Sequence, residues 1–95
     1  MNSVSITGHV VGMPAHAYHG FMHVTEFDIE VPVQRRRTDR FHVVTLNDLA
    51  QSTAQLPAGT RVAITGTLRS EAYDMPDRSV WHKTEIRASE LDVLT

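Results

Sequence analysis

Apolar and polar residues alternate with a period of two along most of the chain, the pattern of strands that bury one face. In "SVSITGHVVG" (residues 3–12) Val4, Ile6 and Val10 share one face, and Ser3, Ser5 and Thr7 take the other. Gly8 and Gly12 interrupt this strand, as glycines do where a sheet bends or bulges. "PAHAYHGF" (14–21) reads as a turn, with Gly20 free to take a positive φ. "FDIEVPV" (27–33) has the cleanest alternation: Phe27, Ile29, Val31 and Val33 point inward, and Asp28, Glu30 and Pro32 outward. Pro32 has no amide hydrogen to give a ladder, which marks a strand end or an edge. "QRRRTD" breaks the pattern and "RFHVVTL" (40–46) resumes it, which predicts a hairpin with arginines at its tip.

The period then changes. In "LNDLAQSTAQLPAGT" Leu46, Leu49, Thr53 and Leu56 fall at helical spacing, with Asn47 or Asp48 as the cap and Pro57 and Gly59 as the stop. "RVAITGTLRS" (61–70) predicts a fourth strand, with Val62, Ile64 and Leu68 on one face and a bend at Gly66. "EAYDMPDRS" reads as a polar loop, and "VWHKTEIRASELDVL" (80–94) as a long fifth strand bent near Ala88 and Ser89. Three strands, a helix and two more strands, with glycine bends in the first and fourth, predict an all-β fold. The architecture expected is a five-stranded OB-fold Greek-key barrel whose one short helix, between strands 3 and 4, closes an end. An open five-stranded sheet and an SH3-like barrel are the alternatives, and the position of the helix argues against the second.

Length and composition narrow the function. Ninety-five residues suffice for one small core, so residues 1–95 are expected to form a single domain. No apolar run approaches the roughly 20 residues of a membrane span, and "MNSVSITGHV" has no secretory pattern, so a cytoplasmic address is the default and no membrane partner is expected. The absence of cysteine excludes disulfides and thiolate chemistry. No Gly-rich phosphate loop, Gly-x-Ser-x-Gly elbow or His-Glu-x-x-His motif occurs, and a small filled barrel leaves no deep pocket. The expectation is a protein that is not an enzyme and needs no cofactor. His16, His19 and His23 recur at intervals that can bind zinc, but a turn at Gly20 would send His23 to another strand, so no metal site is expected. Glu26, Asp28 and Glu30 read as outward, solubilising charges.

Charge supplies the functional signal. The formal net charge is −2, yet Arg35, Arg36, Arg37 and Arg40, four of the nine basic residues, crowd beside Phe41. Around the second long loop, Tyr73 and Trp81 are accompanied by Arg69, Arg78 and Lys83. A solvated hairpin tip tolerates such a cluster. A groove for single-stranded nucleic acid requires one, because it needs cations for the phosphate chain and aromatic rings for the unpaired bases.

Four stretches also resemble the bacterial single-stranded DNA-binding protein family: "NSVSITGHVVGMP", "FHVVTLNDLAQ", "LPAGTRVAITGTLRSEAY" and "TEIRASELDVL". The third carries the most specific element, a Gly-x-x-Val-x-Ile-x-Gly-x-Leu-Arg stretch from Gly59 to Arg69 followed by the aromatic Tyr73. The primosomal replication protein PriB, a relative of that family, is about as similar in strands four and five. The resemblance implies single-stranded DNA binding without strong sequence preference, in replication, repair or plasmid maintenance, near the bacterial nucleoid. It also implies a homo-oligomer, dimer or tetramer, with replication or primosome proteins as further partners. A PriB-like protein-interaction module with weak DNA affinity is the alternative. Phe41 stands where the family has a strand-three tryptophan in a segment one residue longer; with the gap placed elsewhere, Leu46 or Arg40 takes an aromatic position. The family's acidic-tipped tail has no counterpart in these residues, so either its recruiting role is absent or the sequence is a trimmed piece.

Overall fold

Residues 1–94 are described by a computed structural model. Its elements are β1 (Val4–His19), β2 (Met22–Gln34), β3 (Arg37–Leu46), α1 (Asn47–Thr53), β4 (Arg61–Asp74) and β5 (Val80–Leu94). The strands close into a barrel in the order β1-β2-β3-β5-β4, with β4 returning to β1. Every pairing is antiparallel except that of β3 with β5. This is the five-stranded OB architecture, with its single helix between β3 and β4.

The alternation seen in the sequence fills the barrel. Val10, Phe27, Ile29, Val43, Val62, Ile64, Ile86 and Ala88 form the buried core, and Val4, Ile6, Val31, Leu49, Leu56 and Leu91 pack around it. Fully burying a large aliphatic or aromatic side chain contributes about 1.5–3 kcal/mol, so a few such residues hold a wall this thin together. Two expected inward residues are exposed instead: Val33 at 48% and Leu68 at 45%. Val33 falls at an irregularity between Pro32 and Gln34, where an extra residue reverses which face a side chain takes. Leu68 lies where the wall opens into a cleft.

Strands also run further than the alternation implied. The segment 14–21 is not a turn as a whole. β1 crosses a bulge between Val11 and Ala15 and continues to His19, paired with β2. Only Gly20 and Phe21 turn the chain, between the paired His19 and Met22, with Gly20 at φ 65. That is the first-position glycine a two-residue hairpin turn calls for. Likewise β4 extends through Asp74, which shortens the expected loop to the residues between Asp74 and Val80. The bend near Ala88 and Ser89 is a bulge: Gly66 pairs with Ala88 and Thr65 with Glu90, so Ser89 is the extra residue. Opposite it, a Cβ on Gly66 would lie 2.1 Å from the Arg87 carbonyl oxygen, so glycine alone fits.

The helix departs from expectation at its start. Leu46 is the N-cap, with no side-chain capping bond, and neither Asn47 nor Asp48 takes that role; Asn47 turns the chain at φ 56. Buried threonines anchor the helix instead. Thr25 donates to the Ala50 carbonyl at 2.7 Å, and Thr45 lies 2.9 Å from the Thr53 hydroxyl. Each such bond contributes about 1 kcal/mol net.

Candidate nucleic-acid interface

The parallel contact between β3 and β5 is short: it pairs Val43 with Ile86 and Val44 with Arg87. Upstream of these residues the two strands diverge. Because they are parallel, both begin at the same end of the barrel, so the β2–β3 and β4–β5 hairpins form two arms there. Between the arms lies a cleft of about 310 Å³ lined by Arg40, Phe41, His42, Leu68, Thr84, Glu85 and Ile86.

The first arm ends in the arginines. Arg35 and Arg36 occupy its tip, exposed and without an ion pair among the described residues. Arg37 lies 3.4 Å from Asp39, and the Arg40 guanidinium donates to Glu30 at 2.9 Å. The cluster is therefore two uncommitted cations and two held by neighbouring carboxylates. Phe41 is half-buried against the core, on the strand face opposite Arg40 and His42, and contributes to the cleft wall.

The second arm carries the other rings. Tyr73 and Trp81 are direct cross-strand partners, 44% and 65% exposed. The Tyr73 hydroxyl donates to Glu71 at 2.6 Å. Lys83 lies opposite Glu71, and Arg69 opposite Glu85. Strand alternation puts Arg69, Glu71, Tyr73, Trp81, Lys83 and Glu85 on one face, the outer face of the wall that also bears Arg40 and His42. Arg78 sits in the turn at the tip of this arm, with φ 69 and its amide donating to the Met75 carbonyl at 3.0 Å.

A feature that the sequence alone left unread lies on the first arm itself. Glu26, Asp28 and Glu30 are not idle surface charges, because β2 sets them beside the β3 residues of opposite sign. Glu30 pairs with Arg40, and His42 reaches Asp28 through Nδ1 at 2.8 Å and Glu26 through Nε2 at 3.0 Å. Partial burial disfavours the charged imidazole, but the hydrogen bonds to Glu26 and Asp28 outweigh it and raise the His42 pKa above its usual 6.5; nearby Lys83 opposes them. The signal was present in the sequence as acidic and basic alternations of equal period, legible only once the hairpin register is known. Of the spaced histidines, His23 does lie on β2, across the turn at Gly20, where it stacks on Tyr18 at 4.4 Å and meets His16 edge to face.

Comparison with known proteins adds three findings. The model of the Single-strand binding protein family matches residues 1–94. The SSB domain of a Synechococcus sp. protein has a similar fold, with a TM-score of 0.76 and 22% identity over 96% of this chain and 93% of that one. The dimeric N-terminal domain of PriB from Thermoanaerobacter tencongensis is similar at a TM-score of 0.76 and 25% identity, over 99% of this chain and 97% of that one. No curated protein matches the chain.

Proposed function

We propose that this chain, which belongs to the single-strand binding protein family, binds single-stranded DNA with little sequence preference across the cleft between its two arms. One observation carries the reading: exposed Tyr73 and Trp81 on one arm, and the uncommitted Arg35 and Arg36 on the other, begin at the same end of the barrel. Bases stack on Tyr73 and Trp81, a contact open to any base because every base has a π face. Arg35, Arg36, Arg37, Arg69, Arg78 and Lys83 neutralise phosphates, and Arg40 and Phe41 line the passage between the arms. The protein acts by binding alone, without catalysis, in replication, repair or plasmid maintenance, and works in the cytoplasm at the nucleoid. Residues 1–95 act as one domain.

The working form is a homo-oligomer, dimer or tetramer. Beyond Val10, the described residues of β1 pair only with β2, which leaves one strand edge open. That arm also exposes Met13 at 90%, Tyr18 at 69% and Phe21 at 107%. An open edge beside apolar side chains is a surface a second copy can cover.

A second reading is favoured by the likeness to the PriB domain and by the acidic ladder of β2, which weakens the field on the same face. In it the fold is a primosomal protein-interaction module with weak DNA affinity. Titrating labelled oligo-dT at two salt concentrations separates the two. Tight binding that falls steeply with salt supports the first reading, each phosphate contact adding about 0.7 to the log-log slope. Micromolar or weaker binding at low salt supports the second, and no binding at any salt overturns both.

A further inference from the structure

The β1–β2 hairpin beyond the bulge and the loop after α1 make one end of the molecule without formal charge. No Lys, Arg, Asp or Glu precedes Glu26, and none falls between Leu49 and Thr60. At the base of this hairpin Met13, Pro14 and His16 line a groove of about 560 Å³ with Gln55, Leu56 and Ala58. At its tip Phe21 stands fully exposed, next to the paired His19 and Met22. Building on the homo-oligomer above, we propose that this end is an acid-sensitive joint between two copies of the chain. Each Phe21 sits in the other copy's groove, and the joint loosens as His16, His19 and His23 gain protons.

Charge and shape both favour a second copy as the occupant. In a two-fold contact a patch meets itself, so a charged patch repels its own copy and an uncharged one does not. Interface cores are depleted of charge and enriched in aromatic residues and methionine, and Met13, Tyr18, Phe21 and Met22 are all exposed here. A nucleic acid finds no Lys or Arg on this end to hold its phosphates. A protrusion at the tip and a groove at the base match when two such hairpins lie antiparallel. Both contacts then form together, with the open β1 edge between them.

The same seating sets the response to acid. It carries His19 of one copy toward His16 of the other, and the symmetry repeats the encounter. Imidazoles change charge between about pH 8 and 5, and like charges facing each other across an interface are strongly unfavourable. The neighbouring elements offer little compensation. Glu26 pairs with Ala15, on the sheet face opposite His16, and is held by His42. β3 ends here in Thr45 and Leu46, and α1 brings only Asp48, exposed in its first turn. Arg61 of β4 lies across from His9, on the far side of the bulge. His23 adds to the effect from within. It is 8% exposed, stacked on Tyr18 and edge-on to His16, and its Nε2 has no hydrogen-bond partner. A proton on that ring adds a buried charge without an acceptor.

Sedimentation of the protein without DNA tests the joint separately from DNA binding. Near about pH 7.5 the chain should be oligomeric, and Ala58→Asp, which puts a charge in the groove, should weaken association at least about tenfold. Acidification to about pH 5.5 should weaken the parent by a similar factor, and His16→Gln with His19→Gln should remove most of that change. Should the parent lose its far-UV circular dichroism in acid, His16→Lys with His19→Lys decides at the higher pH, where it should weaken association. An oligomer indifferent to Ala58→Asp overturns the joint and leaves the homo-oligomer standing. So does a response to acid that is absent or that survives the histidine changes. A monomeric parent overturns both.

Discussion

An arginine stands in the left-handed backbone region at the tip of each arm, Arg36 at φ 63 and Arg78 at φ 69. That conformation costs an L-residue about 1–2 kcal/mol, a cost glycine does not carry. Strain kept at an exposed tip points to a use for the guanidinium rather than for the turn. Arg36→Gly should therefore leave stability equal or raise it by up to about 1 kcal/mol, while oligo-dT affinity falls. A drop in the denaturation midpoint with affinity unchanged would make Arg36 a structural residue. His42 yields a prediction of the opposite kind, set by its neighbours. Its pKa is raised, so its contacts with Glu26 and Asp28 stabilise the fold fully below pH 6.5 and are lost as pH rises through the folded-state value. Its NMR titration midpoint should lie above 6.5 and fall in Asp28→Asn. A midpoint at or below 6.5 removes this account.

The two arms divide the work of binding differently, and substitutions separate their shares. Changing Arg35, Arg36 and Arg37 together to Ala should weaken oligo-dT binding at least about tenfold and lower the log-log salt slope by about 2, at roughly 0.7 per lost phosphate contact. Tyr73→Ala on the other arm should cost about 1–3 kcal/mol and leave the slope unchanged, because stacking releases no counterions. Equal slope changes in both variants would contradict this division. Within the β4–β5 arm, Gly66 faces main-chain atoms at the bulge. Gly66→Ala should destabilise by at least about 1–3 kcal/mol in chemical denaturation, and a neutral result would show that the Ser89 bulge yields easily. Both ends of this arm's base, the bend at Gly66 and the bulge near Ser89, were legible from glycine and strand length. The extension of β1 past Pro14 was not. Gly12, Met13 and Pro14 break the local alternation, and only β2, paired from Ala15 to His19, restores the strand. Val33 was misplaced for the same reason, since one extra residue in a hairpin reverses a face without changing the local pattern.

At the scale of the molecule, the open edge of β1 and the exposed Met13, Tyr18 and Phe21 lead to one more prediction. Light scattering should give a mass of two or four chains, and Phe21→Ser with Tyr18→Ser should shift it toward one; a monomeric parent would leave the β1–β2 arm without this role. The sequence by itself determined the succession of three strands, a helix and two more strands, most of the inward residues and the arginine-tipped hairpin. All of these follow from alternation and turn chemistry within about ten residues of chain. Only the tertiary structure decided that Tyr73 faces Trp81, that Phe41 leans on the core, and that His42 meets both Glu26 and Asp28. A period of two tells which face a side chain takes but not which neighbour it finds there. That is set by register, and by a two-rung parallel contact joining residues about forty positions apart.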